Sequence, residues 1–171
     1  AGSTGILNIG AFSPLGIDYG LHATAKDWLS NADTTSAAVA PGTLDANFVL
    51  FGEGSGTVNF KHTGSLAQDY RFKAGFAGLG TVNHYDGFTV LDGDSSGFTG
   101  PAHVYGGTMV VNNVLAGDVT VHAGGTLRIG HEGATDAGVT GHVVNDNVNN
   151  GVVQFNRSDA YTYGQVISGT G

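Results

Sequence analysis

The chain's 171 residues include 30 Gly, three Pro and no Cys, and 40% are hydrophobic; this suits one domain with a core and many turns, and is too apolar for a disordered linker. Six basic residues stand against 14 acidic ones, a formal net charge of −8, which argues against nucleic acid as a partner and against an anionic membrane surface. No apolar run is long enough to span a bilayer and the start is not signal-like, so neither a membrane span nor a precursor is expected and any secretion signal would lie outside this stretch.

In chain order, Ile6-Leu7-Asn8-Ile9 reads as a strand closed by Gly10. From residue 11 to 38 the strand wording lapses into an excursion that holds the only Trp, Trp28. Leu21, Ala25, Trp28 and Leu29 fall at i, i+4, i+7 and i+8, which fits a short amphipathic helix; a long irregular loop is the alternative. Strands resume with Phe48 to Phe51 and with Gly56-Thr57-Val58-Asn59-Phe60. The latter is echoed by Gly151-Val152-Val153-Gln154-Phe155. Tyr70-x-Phe72 is echoed by Tyr161-x-Tyr163, and at the same offset Phe76, Gly78 and Gly80 meet Ile167, Gly169 and Gly171. Two copies of one module are therefore expected to flank a central segment, with the array continuing in a longer protein.

That central segment, residues 78 to 130, is a run of short β-branched pieces separated by Gly, Asp and Asn with no helical period. Within it Val104-Tyr105-Gly106-Gly107-Thr108-Met109-Val110-Val111 returns as Val121-His122-Ala123-Gly124-Gly125-Thr126-Leu127-Arg128-Ile129, with Gly125 in the place of Gly107. Repeated units favour a solenoid, in which each unit buries its apolar face only against its neighbours. Asp86-Gly87, Asp92-Gly93 and Asn150-Gly151 carry the hairpin signal and keep an antiparallel sandwich open. In the solenoid reading Val82, Val90, Val104, Val110, Val119, Leu127, Val143 and Val153 point inward.

The phrases LDGDSSGFTG, from Leu91 to Gly100, and GGTMVVNNVLAGDVTVHAGGTL, from Gly106 to Leu127, resemble the passenger-associated β-strand repeat of bacterial autotransporters (type V secretion). Asp92 departs from the family's more usual Thr. The resemblance covers about a third of the chain, and GILNIG, APGTLDA and YGQVISGTG in the flanks are similar to phrases common in such passengers. It implies an all-β fold, a right-handed parallel β-helix. At about 20 to 25 residues per rung and about 4.8 Å spacing, that is a rod of about seven rungs. Nothing matches a translocator barrel, so the stretch reads as a passenger fragment. A cysteine-free chain suits passage, unfolded, through a narrow outer-membrane pore.

Several phrases imitate catalytic or metal sites. Gly93-Asp94-Ser95-Ser96-Gly97 satisfies G-x-S-x-G, but a nucleophile elbow needs a following helix, and Phe98-Thr99-Gly100-Pro101 follows instead. Asp92-x-Asp94-x-Ser96-Gly97 copies the first half of a calcium loop, yet the closing position holds His103 rather than Glu, so an Asx turn is expected, with weak surface calcium binding the alternative. The seven histidines, His22, His62, His84, His103, His122, His131 and His142, show no ligand spacing in sequence and are expected to be solvated or stacked; convergence of sequence-distant histidines on one face of a solenoid to bind metal is the alternative. No catalytic, cofactor or metal residue is assigned, and no cofactor is expected.

The resemblance implies a surface-exposed or secreted structural stalk, not an enzyme, presenting adhesive surface for host-cell contact, autoaggregation or biofilm and joined in the whole protein to an outer-membrane β-barrel translocator. Its partners would be a host-cell or extracellular-matrix ligand, or another passenger. The alternative is the scaffold of a protease or esterase passenger. Within the excursion, Trp28, Tyr19, Phe12 and Leu21 are the candidate binding residues, because large apolar side chains on a segment outside the repeat dominate binding when exposed. A cover over the side of the rod is the competing role for the same segment.

Overall fold

The computed structural model describes residues 5–11, 37–53, 55–145 and 151–170. Every pairing between its strands is parallel, which removes the antiparallel sandwich. The longest ladder stacks β1 (Ile6–Gly10), β3 (Gly56–Lys61), β6 (Gly80–Asp86), β9 (Ala102–Val104), β12 (Val119–Val121), β15 (Val143–Asn145) and β17 (Ile167–Gly169). A second stacks β4 (Tyr70–Phe72), β7 (Phe88–Leu91), β10 (Gly107–Val111), β13 (Gly125–Ile129) and β16 (Val152–Phe155). The third side is built from β2 (Phe48–Leu50), β5 (Gly75–Gly78) and β8 (Gly97–Phe98), and then from β11 (Val114–Leu115) and β14 (Gly138–Val139), the two sets joined by a bridge from Ser95 to Leu115. Successive strands thus visit the three sides in turn, and each turn lies on the one before. The fold is a parallel β-helix, and no helix among the described residues is long and apolar enough to cross a membrane.

Register shows how the sequence makes rungs. Val58, Val82, Ala102, Val119, Val143 and Ile167 stack in one column at unequal intervals, the shortest from Ala102 to Val119. Leu7 and Val58 are neighbours in the same column, yet the chain between them is more than twice as long as between any other two. Residues 11 to 38 fall within that length, and the chain at either end of them meets one corner: Ala11 N–H donates to the Lys61 carbonyl, and Val39 bridges His62. Corners need glycine where the backbone turns left-handed. Gly107 has φ +64° and lies directly over Gly87, itself at φ +98°, so a Cβ there would come within 2.5 Å of the Gly87 oxygen.

The two internal echoes fare differently. Gly107 to Val111 pairs residue for residue with Gly125 to Ile129, and Val104 pairs with Val121, so the short echo is the rung repeat itself. The long echo is not a structural repeat. Gly56–Phe60 belongs to the first ladder and Val152–Phe155 to the second, while Tyr161 and Tyr163 lie outside any strand.

The core holds Val82, Val104, Val119, Leu127 and Val143, all fully buried, with Val153 packed at its margin. Phe60, Phe72, Phe76 and Phe98 fill its wider part through ring contacts 5.1 to 5.9 Å apart. Val90 and Val110 correct the expectation. Both are buried, yet they pair with Arg71 and Arg128, while Met109 pairs with Leu127 and Val111 with Leu91 and Ile129. Alternation therefore turns Val90 and Val110 to the outer face of the second sheet. There they form a separate cluster with Phe88, beneath a polar cover. In that cover Arg71 contacts Asp69, Asp92 and Glu132 at 3.2, 3.4 and 2.7 Å, and His131, at 3.2 Å from Asp69, packs its ring on Phe88.

Two substitutions separate the faces. Val111→Asp places a carboxylate in the core and is expected to lower stability by several kcal/mol, on the order of 4. Val110→Asp meets Arg128 on the next strand and is expected to cost less than half as much. Urea midpoints for the two variants provide the check; equal losses, or the larger loss at Val110, would reverse the assignment.

Candidate functional site

Trp28, Tyr19, Phe12 and Leu21 lie outside the described residues. Among those described, the rungs bring histidines together at two places. The first is inside. The inward column that holds Phe60, Val104 and Val121 holds His84 between them, and the column of Met109 and Leu127 holds Thr89. His62, just past β3, completes a fully buried polar trio at the corner between the first two sheets.

The partners fix both tautomers. Gly64 N–H donates to His62 Nδ1 at 3.0 Å, so the His62 proton is on Nε2, which donates to Thr89 Oγ1 at 2.7 Å. His84 Nδ1 donates to the Gly106 carbonyl at 2.8 Å, so its Nε2 accepts the Thr89 hydroxyl at 2.9 Å. The chain runs one way, from His62 through Thr89 to His84 and out to Gly106, with every ring nitrogen used once and neither ring charged. Burial pulls His84 down to about 4, against the opposing pull of the Gly106 carbonyl; burial likewise lowers His62, against Asp86. A proton on His84 Nε2 displaces the Thr89 hydroxyl, and one on His62 Nδ1 opposes Gly64 N–H.

The second place is outside. Asn8, Asn59 and Asn83 stack on the outer face of the first sheet, the Asn59 amide donating to the Asn8 oxygen and the Asn83 amide to the Asn59 oxygen, both at 2.9 Å. His103 follows Asn83 in that column. Two residues along, a register slip after Phe60 pairs Lys61 with Asp86 and leaves Tyr85 as the extra residue. Tyr85, Tyr105 and His122 then stack rung on rung: Tyr85 on Tyr105 at 5.0 Å and 11°, Tyr105 on His122 at 4.3 Å and 9°. His103 lies beside Tyr105 at 5.7 Å and beside His122 at 5.5 Å, its Nδ1 3.4 Å from His122 Nε2. Burial and then the neighbouring His122 lower the His103 pKa. The sequence carried the signal for this strip. Tyr105 follows Val104 as His122 follows Val121, so the short echo already placed the two rings at equivalent positions.

The imitation motifs resolve into framework. Ser95 is 2% exposed and its Oγ accepts Phe76 N–H at 2.9 Å; the chain continues into β8 at the next corner, with Phe98 in the core. Asp92 accepts from Asn112 at 2.8 Å and from Arg71, while Asp94 accepts Ser96 N–H at 2.9 Å. That last contact, first through the backbone and then through the side chain of Ser96, holds the Asp94 carboxyl below its usual range.

The buried trio gives a pH dependence of known sign. The folded-state pKa values of His84 and His62 lie below the ordinary histidine value of about 6.5, so the unfolded chain binds more protons between about 6.5 and 4. The stabilisation is complete above about pH 6.5 and is lost as pH falls toward about 4. His84 alone accounts for about 2 kcal/mol lost between about pH 7.5 and 5. Urea midpoints measured across that interval are expected to fall in the wild-type chain and to fall distinctly less in His84→Phe. A flat wild-type profile would contradict the buried neutral assignment.

No protein-family model matches the sequence, and no solved structure matches it. In an alignment that covers 54% of its length, the chain is 34% identical to a curated protein, "Adhesin BmaC autotransporter" of Brucella suis biovar 1 (strain 1330). The chain spans about 3% of that protein's length. This similarity supports a relationship to the autotransporters, in keeping with the repeat wording and the parallel ladders.

Proposed function

We propose that this chain is a length of the β-helical stalk of an autotransporter adhesin, held at the bacterial surface or secreted, and non-enzymatic. The observation that carries the reading is the combination of stacked parallel rungs with 34% identity to a protein named as an autotransporter adhesin. A rod suits this work because its backbone groups are consumed rung to rung, leaving outward side chains and insertions to meet a partner. The rest of such a passenger would be joined to an outer-membrane β-barrel translocator, and the absence of Cys from the sequence suits export through it. The contact surface for a host-cell or matrix ligand, or for another passenger, is assigned to the excursion through Trp28, Tyr19, Phe12 and Leu21.

Display of the chain ahead of a translocator barrel on a non-adherent bacterium tests the reading. Attachment to host cells or autoaggregation is expected to rise several-fold over bacteria carrying the barrel alone, and Trp28→Ala is expected to remove most of the gain without changing the urea midpoint. No gain over the bare barrel would overturn the adhesive role. A gain untouched by Trp28→Ala would move the surface elsewhere on the rod, and a fall in both adhesion and stability would make the excursion a cover.

A further inference from the structure

Four of the described histidines serve the framework through their ring nitrogens. His62 and His84 are buried in the Thr89 chain, His131 Nε2 faces Asp69, and His142 Nδ1 accepts Val166 N–H. His103 and His122 are brought to each other by the rung register, which sets them diagonally on one half-buried face with a nitrogen of each turned to the other.

We propose that His103 and His122 form a surface site for one divalent transition-metal ion of the zinc or copper class, bound through His103 Nδ1 and His122 Nε2 with water in the remaining positions. Distance carries the argument. An ion about 2.0 to 2.1 Å from each of two imidazole nitrogens at a tetrahedral angle holds those nitrogens about 3.3 to 3.4 Å apart. The observed separation is 3.4 Å, which is ligand spacing and is longer than a well-formed N–H···N contact of about 2.9 to 3.2 Å. The rings are also held in place before any ion arrives. His122 lies flat on Tyr105, Tyr105 on Tyr85, and His103 is braced against the side of Tyr105. Such support of ligand orientation is what outer groups provide at metal sites.

The chain's charge agrees with the geometry. The net charge of −8 favours a cation over an anion. Among the described residues no third His, Cys, Asp or Glu joins the pair, and both rings are half-buried. The inference stands apart from the adhesive role, because metal binding is read on the purified chain.

Calorimetric titration of Zn²⁺ into the metal-free chain is expected to show one equivalent that His103→Ala or His122→Ala weakens about tenfold or more, and that His142→Ala leaves unchanged. Cu²⁺ bound to the wild-type chain is expected to show coupling to two nitrogens by electron paramagnetic resonance, and to one in either single variant. His103→Asn serves as the variant that keeps the fold, since the same column holds Asn59 and Asn83 on earlier rungs; its circular dichroism is expected to match wild type while the metal equivalent is lost. The proposal is overturned if the wild-type chain binds no equivalent, if His103→Asn binds as tightly as wild type, or if His142→Ala loses binding equally.

Discussion

Each strand of this protein satisfies its backbone hydrogen bonds only against the strands one turn before and one turn after it. That constraint keeps the strands parallel and in register, and it stacks chemically equivalent positions in columns along the rod. Inside, the columns are filled with Val, Leu, Ile and Phe. Outside, the same rule makes the Asn8–Asn59–Asn83 amide ladder and the Tyr85–Tyr105–His122 stack. Columns also set the terms for exceptions. A polar residue at an inward position is tolerated only where its neighbours satisfy every atom, as Thr89 is between His62 and His84.

Much of this was legible in the letters. The echo of Gly107–Val111 in Gly125–Ile129 is the rung repeat, because residues that must stack are chosen alike. The longer echo misled. Gly56–Phe60 and Val152–Phe155 share a strand-forming composition and not a place in the turn, and turns of unequal length let similar phrases drift from one side of the rod to another. Val90 and Val110 were misplaced for a related reason. A Val on a strand is apolar whichever way it points, and only the partner strand, with Met109 beside Leu127 and Val110 beside Arg128, settles the face. Their burial depends on the distant Asp69, Arg71 and Glu132, which no local pattern announces. The paired imidazoles are likewise a product of register, since His103 and His122 come from successive rungs and not from one local motif.

The same arrangement separates two kinds of histidine. His62 and His84, in inward positions, are neutral and serve the core, with a loss of stability in acid; His103 and His122, in outward positions, lie in a half-buried aromatic strip. Outward columns also carry stacking, in the amide ladder, the aromatic strip and the Phe88–Val90–Val110 cluster.

Engineered disulfides test the rung register most directly, and the chain's lack of cysteine makes the readout clean. Thr108 and Thr126 pair across β10 and β13 on the outer face, where parallel neighbours about 4.8 Å apart lie within the range a disulfide spans. The double variant Thr108→Cys, Thr126→Cys is expected to oxidise nearly completely under mild conditions and to raise the thermal midpoint. Thr108→Cys with Arg128→Cys, displaced two positions along the strand and about 8 Å apart, is expected to remain reduced. Preferential oxidation of the displaced pair, or of neither, would contradict the stacked parallel account.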